Sequence, residues 1–311
     1  MNKNLVIVAC TSVGRSIILE ILTNKKISTK ISGVINLNKD RALKKANYDS
    51  YDDIANNFKL EILYVNSIND EICIKWLKKK KPNLIIQSGW SQKFSDKVLK
   101  IPKYGCIGQH PAPLPKGRGA ACVNWAIINN EKKWGDSFFV MDNDYDNGPI
   151  VAQEFFKIED YDNVKTVYDK VCATSRKIVS VNIDLWIQGK FRYKKQNINK
   201  ATYFTKRSPD DGEFSLYDEV LNIHNKVRAL TRPYPGAFFY LNGKKIFVWS
   251  SNVLNLKKRD LLKKKKNGGL VINVGKRRHQ LIELLRVQVE SRPEMWADRM
   301  NIGLLKKNLQ N

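Results

Sequence analysis

Histidine is scarce in this chain of 311 residues, which carries only His110, His224 and His279. Cysteine is thinly scattered: Cys10, Cys73, Cys106, Cys122 and Cys172 form no C-x-x-C pair, and no histidine stands at zinc-ligand spacing from them. That pattern argues against a structural zinc site and for buried, reduced thiols, with Cys106 or Cys122 as a nucleophile the less favoured alternative. No apolar run approaches the roughly 20 residues that cross a bilayer. The opening MNKNLVIVAC runs straight into an apolar segment and has no signal-cleavage site, so a cytoplasmic protein without membrane contact is expected. Acidic residues are also few, 30 against 55 Lys and Arg, a net charge of +25. The excess is lysine spread along the chain, including the runs from Lys78 to Lys81 and from Lys263 to Lys266. It fits either a compositional bias with solvated lysines or a polyanionic partner such as tRNA.

The length suggests two domains. From Leu5 to Ala9 an apolar run ends at Cys10-Thr11-Ser12, and helical periodicity follows through Ile17, Ile18, Ile21 and Leu22. Strand patterns recur at Ile31 to Ile35, Ile62 to Val65, Asn83 to Ser88 and Gly105 to Gln109, with a helix from Glu71 to Lys80 among them. Such alternation predicts an α/β, Rossmann-like domain whose mostly parallel sheet opens a ligand crevice at the strands' carboxyl ends. A helix from Ala121 to Ile128, strands at Ser137 to Met141 and Ile150 to Phe156, and a long helix from Val164 to about Ile187 complete it. Asn197 to Ala201 reads as a linker, which sets the expected domains at 1–198 and 199–311. Beyond it, one helix around Tyr217 to Leu230 precedes short strands at Ala237 to Tyr240, Lys245 to Trp249, Gly269 to Val274 and Leu281 to Val289. These predict a small, β-barrel-like domain. The segment from Lys257 to Asn267 reads as a loop.

The chemistry concentrates between Gly105 and Gly148. His110 closes a predicted strand and opens the loop HPAPLPKGRGAA, whose prolines restrict its conformations. Thirty-six residues later, Asp146 stands in the turn MDNDYDNG, and the intervening loop, helix and strand let the two meet at adjacent strand ends. A histidine near neutrality relays protons, and a carboxylate orients it and supports its charged form. Arg118 in the KGRG loop offers a planar fork for a phosphate or carboxylate, unless it is a solvated loop arginine. Thr11 and Ser12 occupy a first strand-to-helix turn where phosphates commonly bind, although no glycine-rich fingerprint accompanies them.

Read together, GCIGQHPAPLPKGRGAACVNWAII and FFVMDNDYDNGPIVAQ, with QSGWSQ before them, resemble the formyltransferases that use N10-formyltetrahydrofolate. That family includes methionyl-tRNA formyltransferase, nucleotide-sugar N-formyltransferases and glycinamide ribonucleotide formyltransferase. The resemblance continues through ATYFTKRSPDDG and VRALTRPYPGAFFYLNGKKIFVW, so it covers nearly the whole chain. It implies an OB-fold-like second domain, N10-formyltetrahydrofolate as formyl donor, and His110 and Asp146 as the catalytic pair. His110 would shuttle the proton of the attacking amine. Asp146 would orient His110 and help protonate the departing folate nitrogen. The resemblance also implies a folate pocket lined by Gln87, Ser88, Gly89 and Trp90, with Asp142 closing it, although Trp90 equally suits a core. Arg118, Thr11, Ser12 and Asn124 would face the acceptor. His224 and His279 are expected to be structural.

One family residue does not match: the catalytic Asn of the family's Asn-x-His motif is replaced here by Gly108. Loss of one oxyanion donor can cost about 10²–10³-fold in rate. Gln109 alternates to the other face of the strand, leaving Gln87, Ser88, Asn124 or a bound water as substitutes. The segment ATYFTKRSPDDG and the N-terminal CTSVGRSIILEIL resemble the sugar-modifying branch, so a nucleotide-linked amino sugar is the expected acceptor. Methionyl-tRNA is the alternative, and a folate-binding relic without catalysis is the third reading.

Overall fold

The computed structural model describes residues 4–42, 45–254, 262–264, 268–277 and 279–300. Its described residues group into two compact units. The first draws on Met1–Cys122, Lys132–Ile158 and Val167–Thr205, and the second on Val123–Glu131, Glu159–Thr166 and Lys206–Asn311.

In the first unit, the apolar runs become β1 (Asn4–Ala9), β2 (Lys30–Leu37), β3 (Ile62–Val65), β4 (Leu84–Ser88) and β5 (Cys106–His110). A two-residue strand, β6 (Arg118–Gly119), is followed by β7 (Lys133–Val140) and β8 (Ile150–Lys157), and β9 (Tyr203–Phe204) pairs with β6. The main sheet has the order β3-β2-β1-β4-β5-β7-β8. Its first five strands run parallel, whereas β7 runs against them and β8 pairs antiparallel with β7. Strands buried on both faces need apolar residues at successive positions, which explains the unbroken LVIVA of β1. On one face Val6, Val8 and Ile85 pack with Cys73, Ile74 and Leu77 of a helix spanning Glu71–Lys80, and with Trp90, Phe94 and Val98. That helix turns its lysines away from the core and gathers three of them in its last turn, where they complement the helix dipole. The other face carries α1 (Ser12–Thr23), which approaches so closely that a Cβ on Gly14 would stand 2.4 Å from the Ala9 Cβ.

The second unit holds a helix, Val220–Leu230, and an antiparallel sheet built from β10 (Ala237–Leu241), β11 (Lys244–Leu254), β12 (Leu262–Lys264), β13 (Leu270–Val274) and β14 (Gln280–Val289). Their order is β10-β11-β14-β13-β12, with β15 (Met295–Trp296) also on β14. Part of the segment read as a loop, Leu262–Lys264, is therefore a strand paired with β13. The rest of it, 257–261 and 265–267, lies outside the described residues. No helix among the described residues is long and apolar enough to cross a membrane.

Helix propensity alone favours Ala over Gly at position 14 by about 1 kcal/mol. The Ala9 contact reverses that sign, because neither backbone nor methyl can yield. Gly14→Ala is expected to lower the urea midpoint; a raised midpoint would contradict this packing of α1.

Candidate active site

β4 and β5 end side by side, and their parallel register sets Gln87 beside Gly108 and Ser88 beside Gln109. Next to β5 the chain direction reverses, setting Phe139 opposite Gly108 and Ser137 opposite His110. Gly108 and His110 therefore share one face. Gln109 occupies the other, accepting from Ser88 Oγ at 2.8 Å and donating to Asp136 Oδ1 at 2.6 Å. Asp136 is fully buried, and Ser175 donates to its second oxygen. Burial pushes the Asp136 carboxyl up to about 7, against the pull of Ser175, Gln109 and the positive charge of His110.

His110 is 8% exposed. Its Nε2 lies 2.8 Å from the Gly117 carbonyl oxygen, which can only accept, so Nε2 carries a proton. Its Nδ1 faces Asp146 Oδ2 across 3.7 Å, an ion-pair distance longer than a hydrogen bond. Burial works against a charge on the ring, but the Cys122 sulfur, the Asp146 carboxylate and the Gly117 oxygen outweigh it and raise its pKa to about 10. The direction of this shift favours the protonated ring of His110. Asp146 sits in the left-handed region at φ 54°, and its Oδ2 also accepts the Gly119 amide at 2.9 Å.

The structure brings His110 and Asp146 together and sets Gln87 beside Gly108, and it gives the remaining residues other partners. A Cβ at Gly108 would meet the Phe139 ring at 2.7 Å and Met141 at 3.2 Å, so an aromatic ring stands where the Asn side chain would begin. Ser88 is spent on Gln109, on the opposite face. Asn124 belongs to the second unit, where its Nδ2 donates to the Ala229 carbonyl at 2.7 Å. Gln87 is the substitute whose register is right; its Nε2 donates to the Trp90 carbonyl at 2.7 Å. Trp90 packs in the core, as its alternative reading had it, yet its Nε1 has no acceptor among the described residues. Gly89 turns the chain at φ 64°, and its carbonyl accepts from Cys10. Asp142 is exposed and accepts the Asp144 amide, closing its own turn.

The acceptor contacts require correction. Arg118 is 1% exposed, with Nη1 on the Tyr203 hydroxyl and Nη2 on Gln196 Oε1, both at 2.8 Å. Its fork is thus a buried strut rather than an open anion clamp. Thr11 is 5% exposed, and its amide is taken by the Tyr51 hydroxyl at 2.8 Å. Ser12 hydrogen-bonds the Cys172 thiol. The Thr11 amide, which the sequence offered to a phosphate, is thus taken by protein, while its buried hydroxyl has no partner among the described residues. Cys106 is buried, which pushes its thiol up and makes it a poor nucleophile. Cys122 donates to the Pro111 carbonyl at 3.3 Å. His224 is structural, with Nδ1 3.0 Å from Ser251 Oγ. No group of three or more His, Cys, Asp or Glu able to hold a metal occurs among the described residues.

The family model for formyl transferase matches residues 2–183, and that for the formyl transferase C-terminal domain matches residues 206–304. The chain belongs to the formyl transferase family. It is 35% identical over 228 residues to the bifunctional polymyxin resistance protein ArnA of Wigglesworthia glossinidia brevipalpis, covering 73% of this chain and only 35% of that protein. It is 30% identical over 259 residues to the methionyl-tRNA formyltransferase of Halothermothrix orenii, covering 80% of this chain and 81% of that one. The solved structure of the N-formyltransferase from Helicobacter canadensis, in complex with folinic acid and dTDP-3-aminofucose, shares the fold. Its TM-score is 0.64 at 18% identity, over 91% of this chain and 99% of that one.

A histidine whose pKa rises on folding stabilises the fold fully below its ordinary value of 6.5, and that contribution disappears as pH climbs through about 10. Asp146→Asn removes one source of the rise. NMR titration of the His110 ring should find it still protonated where a free imidazole is neutral, with a lower midpoint in Asp146→Asn. A wild-type midpoint near 6.5 would contradict the assignment.

Proposed function

We propose that the chain transfers the formyl group of N10-formyltetrahydrofolate to the primary amine of a nucleotide-linked amino sugar, with His110 and Asp146 as its catalytic residues. In this reading the catalytic domain is 1–198 and a separate domain occupies 199–311. The observation that carries it is the ion pair between buried His110, at the end of β5, and partly buried Asp146, in the turn before β8, at the side of the sheet where α/β folds take their ligands. The donor supplies, when bound, a formyl carbon open to attack by an amine. Trp90 Nε1, a buried donor left without an acceptor, fits a polar ring edge there, and Gln87, Gly89 and Trp90 would hold the donor beside Gly108. The His110 imidazolium lowers the cost of negative charge on the attacked oxygen. The Asp146 carboxylate accepts the proton that the amine sheds and returns it toward the leaving nitrogen. Gln87, level with Gly108, takes the place of the family's amide.

The sugar acceptor rests on the segment ATYFTKRSPDDG, which resembles the sugar-modifying branch and whose Thr202 and Tyr203 lie against the His110 loop. Tyr203 is 64% exposed, with its hydroxyl held by Arg118, so a ring face beside the site is open to an acceptor. A second reading, formylation of methionyl-tRNA, is favoured by the relatives of that name and by the charge of +25. A cytoplasmic location suits both readings: all five cysteines are free thiols, as a reducing compartment keeps them.

The test is to supply N10-formyltetrahydrofolate with amino nucleotide sugars or with charged methionyl-tRNA and to measure free tetrahydrofolate. Release is expected with a sugar and none from a folded His110→Ala variant. Release only with methionyl-tRNA, binding that tRNA with a steep salt dependence, would transfer the assignment to the second reading. Release with neither would refute both.

A further inference from the structure

We propose that the strap from Lys194 to Phe204 positions both members of the catalytic pair, through Gln196 and Thr202; this rests on the preceding reading of His110 and Asp146. The strap is tied at its start by two hydrogen bonds between Lys194 and Ile150, at 2.8 and 2.9 Å. Gln196 then reaches into the Asp146 turn. Its Nε2 donates to the carbonyl oxygens of Asp146 at 2.9 Å and Gly148 at 2.7 Å, bracketing the residue that carries the carboxylate. Its Oε1 accepts from Arg118 Nη2, and because a guanidinium can only donate, that contact fixes which end of the amide faces the turn. Arg118 is itself braced by Tyr203 of the strap, so its buried charge serves to orient Gln196.

Asp146 needs this support. A non-glycine residue at positive φ persists only where its surroundings over-determine it, and here Gln196 on the main chain and the Gly119 amide on the side chain do so. Six residues along, Thr202 performs the matching task for His110. Its Oγ1 accepts the Gly117 amide at 2.8 Å, and its carbonyl accepts the Arg118 amide at 2.9 Å. Gly117 is the residue whose carbonyl binds His110 Nε2. Phe204 closes the lacing by accepting the Ala120 amide at 3.1 Å. One stretch of chain, flanking and including the Asn197 to Ala201 segment read from sequence as a linker, therefore sets the turn that holds the carboxylate and the loop that holds the imidazole.

Gln196→Glu separates this role from folding. A carboxylate still accepts from Arg118 but cannot donate to the two carbonyls, so the strut survives while the turn is released. Thr202→Val removes the acceptor for Gly117, and Thr202→Ser restores it. We expect Gln196→Glu and Thr202→Val to keep the wild-type circular dichroism spectrum and donor KM. Their kcat should fall on the order of 10- to 10²-fold, the scale of an ångström-sized misplacement, and their His110 titration should move toward 6.5. Thr202→Ser should behave as wild type. Wild-type kcat together with wild-type His110 titration in both variants would overturn the proposal. If the wild-type protein transfers no formyl group, the preceding reading fails, and the strap is judged by the His110 titration and by faster amide exchange at Gly117 and Gly119.

Discussion

A protonated imidazole loses most of its hydration when it is buried, and it persists only where oxygens of the protein replace that water. At His110 those oxygens come from the Gly117 carbonyl and the Asp146 carboxylate, and neither group is held by strand pairing. Gly117 lies in a proline-rich loop and Asp146 in a tight turn. The organisation of the first unit around the strand ends follows from this need: Arg118 is buried rather than displayed, and a late segment of chain is laced to both loops. The same need explains why Asp146 keeps an unfavourable φ, since a relaxed turn would draw the carboxylate away from the ring.

The reversal of strand direction at β7 supplies the second constraint. In a purely parallel sheet, the neighbour of β5 would arrive through a helical crossover. Here β7 returns antiparallel, placing the Phe139 ring over Gly108 and Asp136 under Gln109. Gly108 is thus a packing partner of an aromatic side chain at the position where the family carries an amide. Beneath the sheet, Ser88, Gln109, Asp136 and Ser175 form one buried hydrogen-bonded chain that satisfies every polar group it takes from water.

Much of this was legible in the chain. The apolar runs at Leu5, Ile62 and Leu84, and the helical spacing between them, led directly to a parallel sheet, because a strand covered on both faces has no polar alternative. His110 and Asp146 could be paired because each lies at the end of a strand pattern. What could not be read was burial. Arg118 and Thr11 belong to residue types that bind anions when exposed, and nothing local reveals that Tyr203, Gln196 and Tyr51 occupy them. The same limit hid the strap. Gln196 lies fifty positions from Asp146 and Thr202 eighty-five from Gly117, whereas Asn197 to Ala201 carries only the polar texture of a linker. The partner of Asn124 was hidden in the same way: its place in a loop-to-helix sequence near His110 says nothing about Ala229.

The claim most open to a single measurement is that the site has been rebuilt around Gly108 and is not merely missing a donor. The measurement is the kcat of Gly108→Asn with N10-formyltetrahydrofolate and the acceptor that turns over. If Phe139 holds the space as described, the new side chain displaces the ring from its 2.7 Å approach and kcat falls below wild type. A rise of about 10²–10³-fold, the scale of a restored oxyanion donor, would contradict the account and mark Gly108 as a simple loss.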